Sequence, residues 1–415
     1  MALLERTGEP GDVGMDSNRL QRLTTHFATY VDDGRLPGFQ IAVARHGSVV
    51  FAESYGKRDI ATGAPVEADT IFRAYSMTKP ITSVAAMILF EEGKLSLDDP
   101  VSKFIPAFAD TRVYLRGPGT SPATTPQLTP MTVLHLLTHT AGLTYGFAFA
   151  NGIDHLYRQA GFEWGSPAGA TLAECCDVWA GIPLVFQPGS EWNYSVATDV
   201  LGRVVEVVSG QTLDQFFQDR ILTPLGMNDT AFWVDGDRVD RLASLYLASP
   251  GTVAAQRKAV HGGSFGARPP EAPRFLSGGG GLHTTTYDYL RFAEMLRGGG
   301  QLGGTRILGP RTVRFMASNH LPNNADLTDF GRPIFAETSY DGVGFGLGFS
   351  VVLDPVKNRT PGSAGDFGWG GAASTAFWVD PVEDMSVVFM TQLLPSSVHP
   401  IRPELKRLVH AALID

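Results

Sequence analysis

Stretches that read as β-strands stand near both ends of this chain, and helical patterning fills the space between them. Residues 38–56, reading GFQIAVARHGSVVFAESYG, predict two strands joined near His46-Gly47. From residue 344 the pattern returns to strands: GFGLGFSVVLDP, then STAFWVDPVEDMSVVFMTQ over 374–392, which predicts a hairpin. Strands this far apart in sequence share a core by pairing across the chain. One mostly antiparallel sheet with a helical insertion is therefore expected. No regular strand–helix alternation is present, which argues against a doubly wound parallel sheet. The expected class is α/β in the α+β sense: a mostly antiparallel sheet flanked by helices, plus a helical subdomain.

The helices are placed by period and caps. Residues 16–33 have helical spacing, with Asp16 or Ser17 as the cap. Residues 81–92 are apolar on most faces, so this helix is expected to be buried and to stop at Gly93. Residues 128–143 carry Thr129 at a cap position, Pro130 at the first helical position and Gly142 past the end. Further helices are expected at 196–210, 212–222, 285–297 and 401–413, the last amphipathic. The Pro, Gly and Thr content of 106–130 predicts a loop, and 187–195 reads as a turn. With 415 residues, 43% of them hydrophobic, the chain has ample material for a large core and, by length, two or three domain-sized units. It contains no fixed-period repeat and no low-complexity linker.

Charge narrows the partners. A net charge of −9 leaves no basic surplus to neutralise phosphates, so nucleic acid and anionic membranes are not expected partners. The first twenty residues are acidic where a secretory signal would be basic, and no apolar run is long enough to span a bilayer. A cytoplasmic location is the expectation. Cys175 and Cys176 are adjacent, a spacing that rarely forms a disulfide, and are expected to be small buried apolar groups.

The chemistry centres on Ala-Tyr-Ser-Met-Thr-Lys-Pro, residues 74–80. Ser76 and Lys79 are three apart, so a helix puts them on one face. An amine beside a hydroxyl at the mouth of an apolar helix can activate a serine nucleophile. Pro80 fits if the helix begins near Ser76, where the missing N–H costs least. The plainer reading is a capping serine and a solvated lysine. A second serine, Ser264, satisfies G-x-S-x-G over Gly262–Gly266, but no strand–helix context surrounds it, and it reads as a loop. His135 and His139 have metal-ligand spacing, yet Leu136 stands where a zinc protease needs Glu; a packed or capping role is expected, and no metal. Tyr194 follows a Pro-Gly turn. Gly368–Ala372 is a glycine-rich strand segment that could bring an N–H to an oxyanion. Residues 277–296 read as a glycine turn and a helix capped by Thr285 or Thr286.

These pieces together resemble the serine β-lactamase and penicillin-binding superfamily, and within it the family VIII carboxylesterases, relatives of class C β-lactamases. The resemblance is carried by SMTKPIT (76–82), LHLLTHTAGL (134–143), PGSEWNYS (188–195), GGGGLHTTTYDYLRF (278–292) and WGGA (369–372), in an order that spans nearly the whole chain. It implies one β-lactamase-like unit over 1–415, with an α/β subdomain from about 1–75 plus 284–415 and a mostly helical one from about 76–283. It implies Ser76 as nucleophile, Lys79 and Tyr194 as its activating pair, and the N–H groups of Ser76 and Ala372 as the oxyanion hole. Ala372 is expected to follow Trp369-Gly370-Gly371 on one strand. Trp369, Gly370, Gly371 and Val196 would face substrate, and the Phe147-Ala148-Phe149-Ala150 run could line an apolar pocket or simply pack. Two positions depart from the β-lactamase pattern: Val196 replaces the Asn of Y-x-N, and Trp369 replaces the Lys of K-T-G. Both departures favour neutral, short-chain esters over β-lactams. The resulting expectation is a cofactor-free serine carboxylesterase acting on a small-molecule ester, with weak cephalosporin hydrolysis at most. Isolated Tyr and Lys side chains titrate near ~10 and ~10.4, so either base assignment requires the two to be coupled, and the residues alone allow both. Acyl transfer to an alcohol or amine, amide hydrolysis, and a non-catalytic binding protein on the same scaffold are the alternatives.

Overall fold

The computed structural model of the chain describes residues 4–249, 257–262, 268, 271–332 and 340–415. The strand Gly38–Arg45 shows how the sequence builds the architecture. Alternate side chains point to opposite faces of a sheet. Phe39, Ile41 and Val43 enter one core while Ala42 and Ala44 enter the other, and every residue of the strand is buried. It pairs antiparallel with Ser48–Asp59 on one side and with Met385–Met390 on the other, Gln40 opposite Met390 and Arg45 opposite Met385. The expected pairing of early with late strands is therefore observed.

The full sheet has eight strands in the order Val343–Phe345, Ser350–Val352, Phe367–Gly370, Ala376–Asp380, Met385–Met390, Gly38–Arg45, Ser48–Asp59, Ala64–Pro65. Each neighbouring pair is antiparallel. One face is covered by the helices Ser17–Asp32 and Ile401–His410, through Leu23, Phe27, Ile401 and Leu405. Asp16 caps the first of these, accepting from Arg19 N at 2.8 Å. The other face carries Thr286–Arg297, whose Tyr289 and Phe292 join a core shared with the helices Thr78–Glu91 and Ala197–Ser209. Thr78–Glu91 is buried from Thr78 to Leu89, as its all-round apolar pattern requires. Cys175 and Cys176 are free and buried on the helix Leu172–Ala180.

Several segments differ from expectation. The helix expected over 128–143 is one short turn, Val133–Leu137, capped by Thr132 and not Thr129. It stops because the next residues bond elsewhere: Thr140 O accepts from Gly189 N at 2.8 Å and Gly142 O from Val185 N at 2.7 Å. His135 completes the cap, its Nδ1 accepting from Thr132 N at 3.2 Å, so it serves the helix start. The expected loop 106–130 contains a small hairpin, Val113–Arg116 with Ala123–Thr125. The helix expected over 212–222 is α-helical only at Leu213–Phe217 and continues as a wider π turn, Gln218–Leu222. Ser264 lies outside the described residues. Among the described residues, no helix is long and apolar enough to cross a membrane.

Candidate active site

Ser76 sits in a tight turn, Tyr75–Met77, that runs directly into the helix Thr78–Glu91. Tyr75 has a left-handed backbone, φ 47°, which costs an L-residue about 1–2 kcal/mol. The surrounding chain holds it there. Ala74 N donates to Leu282 O at 2.9 Å, Leu282 N donates to Thr78 Oγ1 at 3.1 Å, and Tyr289 Oη donates to Met77 O at 2.7 Å. Pro80 falls in the first helical turn, where its missing N–H breaks no helical bond.

One turn further on, Lys79 is almost completely buried. Its ammonium has three oxygen neighbours: Gly279 O at 2.7 Å, Tyr145 Oη at 3.0 Å and Ser76 Oγ at 3.4 Å. Three N–H donors thus meet three oxygens, the full capacity of the group. The same nitrogen lies 4.4 Å from the centre of the Tyr194 ring. Ser76, Lys79 and Tyr194, singled out from sequence, are therefore brought together.

Tyr194 is fixed from several sides. Asn193 N donates to His139 O at 2.9 Å, and Asn193 Nδ2 donates to Leu143 O at 2.8 Å. The His139 ring packs 4.9 Å from Tyr194, with its nitrogens against Ser195 Oγ and Thr198 Oγ1. Burial, reinforced by the Lys79 charge, holds this imidazole neutral, well below its usual titration range. Trp369 closes the far side, its Nε1 donating to Tyr194 Oη at 3.3 Å. A neutral indole N–H thus reaches the phenol from the position where the β-lactamase pattern has a lysine.

Three participants escaped the sequence reading. Tyr145 is the first; burial, with Tyr194 and Asp199 nearby, pushes its phenol well above the ordinary range, so it stays protonated. The second is the Gly279 carbonyl. The third is Asp199, in the first turn of Ala197–Ser209, which accepts from Ser277 Oγ at 2.6 Å and Gly279 N at 2.9 Å. Burial raises its carboxyl, opposed by the Lys79 charge and by these two bonds. Position 279 needs glycine because a Cβ would stand 2.5 Å from an Asp199 carboxylate oxygen.

The oxyanion candidates meet across the chain. The strand carrying Trp369 ends at Gly370, and Ala372 stands in the turn beyond it, exposed to the cleft, rather than on the strand as expected. This turn is pressed against the Ser76 turn: a Cβ on Gly371 would lie 2.4 Å from Ala74 O and 2.4 Å from Thr375 Oγ1. Arg402 ties the turn from below, donating to Gly371 O at 2.9 Å and Thr375 O at 3.0 Å. Gly371→Ala is expected to destabilise the fold by about 1–3 kcal/mol, because an added methyl must displace backbone. Thermal melting of the variant, showing a lowered Tm, checks this.

These residues line a cleft of about 1050 Å³, to which Tyr145, Phe147, Val196, Trp369, Gly370 and Gly371 all contribute. Phe149 instead points outward, 60% exposed, with the Arg158 guanidinium 4.2 Å from its ring. Away from the cleft, Asp366, Asp380 and His410 bring ligand atoms within 4.8 Å of one another. Lys406 already pairs with Asp366, and His410 with Asp380, so this cluster is read as an ion-pair network.

A sequence profile of the Beta-lactamase family matches residues 23–411. The chain belongs to the Beta-lactamase family. Among the relatives of this Beta-lactamase-family chain is Protein Rv1367c of Mycobacterium tuberculosis, 37% identical over 88% of each chain. Esterase EstB of Burkholderia gladioli is 33% identical over 92% of this chain and 93% of its own. The solved structure of EstCE1, described as a hydrolase with promiscuous acyltransferase activity, superposes with a TM-score of 0.78 at 31% identity, covering 95% of this chain and 98% of EstCE1. The expected kinship with the family VIII esterases of the serine β-lactamase and penicillin-binding superfamily is borne out by these matches, as is the β-lactamase-like fold.

Proposed function

We propose that the chain is a serine ester hydrolase that works through an acyl-enzyme on Ser76. The observation that carries this reading is the buried Lys79 ammonium held between Ser76, Tyr145 and the Tyr194 ring at the floor of an apolar cleft. The esterase relatives support the same reaction class.

Ser76 Oγ attacks the ester carbonyl carbon, and the carbonyl π electrons move onto oxygen. The serine proton passes to the Lys79/Tyr194 pair, which acts as one unit, the ammonium nitrogen lying 4.4 Å from the ring centre. The oxyanion meets the N–H groups of Ser76 and Ala372, each worth about 3 kcal/mol by analogy with measured oxyanion holes. Collapse breaks the ester C–O bond, and the alkoxide recovers the proton from the pair. Water then repeats the cycle on the acyl-enzyme and releases the acid. Tyr145 and Gly279 orient Lys79, and Asp199 orients Gly279.

Acyl transfer is the second reading. It is favoured by the acyltransferase activity described for EstCE1 and by a cleft with aromatic walls, in which an apolar alcohol competes well with water. Turnover of p-nitrophenyl butyrate with and without added butanol separates the two. A burst followed by steady hydrolysis supports the hydrolase. Acceleration with butyl butyrate as product supports the transferase. No release of p-nitrophenol in either condition rejects both.

Substrates are proposed to be neutral, short-chain esters. A β-lactam carries a carboxylate beside its reactive carbonyl, and Trp369 offers it an apolar face and one N–H already directed at Tyr194. Val196 offers no amide. The expected kcat/KM for p-nitrophenyl butyrate exceeds that for a chromogenic cephalosporin by about 100-fold or more, and Trp369→Lys narrows this ratio. Equal rates in the wild type, or an unchanged ratio in the variant, rejects the role given to Trp369.

A further inference from the structure

The wall of the cleft next to Lys79 is made of rings. Tyr145 and Phe147 stack with centres 4.5 Å apart and planes at 18°, and Phe147 and Trp164 stack at 5.5 Å and 8°. The three rings form a continuous ladder. Its inner end is the phenol that bonds Lys79, and its outer end is Trp164, which remains 62% exposed. Phe162 and Trp179, with centres 5.2 Å apart, extend the same wall. Phe162 and Trp179 are buried and Tyr145 and Phe147 partly so, while Trp164 stays in water, and an exposed aromatic at a cleft mouth marks a place for a ligand. The cleft volume of about 1050 Å³ also lies just above the ~300–1,000 Å³ range usual for sites that bury drug-sized molecules, and far exceeds the need of a short acyl chain.

We infer that this ladder selects the substrate's larger half: the chain takes esters that join a short acyl group to a bulky, uncharged, ring-bearing alcohol, with Trp164 and Phe147 as specificity-determining residues. The inference rests on the ester-hydrolase reading and deepens it. The charged group that this wall bonds, Lys79, stands at its inner end and is already engaged with Gly279 O, Tyr145 Oη and Ser76 Oγ, so an ionic group of the substrate against the rings would lose water without gaining it as a partner. Flat rings of the substrate, by contrast, meet ring faces and edges at the offset geometries that aromatic pairs favour.

The test compares 2-naphthyl butyrate with ethyl butyrate in the full-length protein, both followed by acid release. The acyl group is the same, so the ratio of the two kcat/KM values reads the alcohol half. Intrinsic leaving-group reactivity cancels when wild type and variants are compared. Trp164→Ala is expected to lower the naphthyl/ethyl ratio about tenfold, and Trp164→Phe to restore most of it. Phe147→Ala should lower it as well, and its folding is checked by circular dichroism. A ratio unchanged in both alanine variants, with ethyl butyrate still hydrolysed, overturns the inference and leaves the ester-hydrolase reading standing. Failure of the wild type to cleave either ester overturns that reading itself.

Discussion

Ser76→Ala is expected to lower kcat/KM for any ester substrate by about 10⁴–10⁶-fold and to remove labelling by a fluorophosphonate. The size follows from the site's geometry. Its remaining parts, the turn around Ala372 and the aromatic cleft, can still bind and polarise a carbonyl, but the other hydroxyl held against Lys79 is the Tyr145 phenol, which burial keeps protonated and a poor nucleophile. The variant should fold, because Ser76 Oγ is only the most distant of the three oxygens around the ammonium and its loss leaves Gly279 and Tyr145 in place. Mass spectrometry of the labelled wild type should find the adduct on the peptide containing Ser76. An adduct on Ser264 instead, or ester turnover that survives the substitution, removes Ser76 from the role of nucleophile.

Lys79→Ala and Tyr194→Phe should each lower kcat by about 10²–10⁴-fold, and the double variant should be little worse than the poorer single one. The charge over the ring is the reason. With Lys79 gone, Tyr194 loses the cation beside its ring. With the phenol gone, Lys79 has no partner to share the serine proton. Losses that multiply fully would show that the two act independently and that the proton goes elsewhere. Lys79→Ala also removes a buried cation beside Asp199, so its fold must be confirmed before its rate is read. Lys79→Met keeps the volume and serves as the control.

What could be read from the sequence depended on how locally each feature is determined. The strand Gly38–Arg45 and the hairpin Ala376–Asp380 with Met385–Met390 follow from short apolar runs bounded by turn residues, because each lies between two apolar cores. The helices Gly152–Gln159 and Leu172–Ala180 were missed although each announces itself with a capping box, Asn151 with Asp154 and Thr171 with Glu174. That signal was in the residues and was overlooked beside the Gly- and Pro-rich neighbourhood. The shortness of Val133–Leu137 was not in the residues. It comes from backbone bonds to 185–189, segments that local pattern cannot bring together. The site divides the same way. Ser76, Lys79, Tyr194 and Trp369 sit in recognisable motifs. Tyr145 and Gly279 contribute a single phenol and a single carbonyl, delivered to Lys79 from 66 and 200 positions away. The one local hint of Tyr145 is its place just after the Gly142 turn.

The pairing of Gly38–Arg45 with Met385–Met390 also bears on how such a chain comes into being on the ribosome. The second strand of the sheet's inner hairpin emerges at once, while its other neighbour follows hundreds of residues later, with Arg45 opposite Met385. Until then, a strand destined for full burial has one edge without its hydrogen-bonding partner, an invitation to aggregate that intermediates of large proteins commonly present. The turn bearing Ala372 and the Arg402 that ties it arrive in that same later stretch. Synthesis therefore delivers Ser76 well before Ala372, so a chain halted between them carries the proposed nucleophile without its proposed second oxyanion donor.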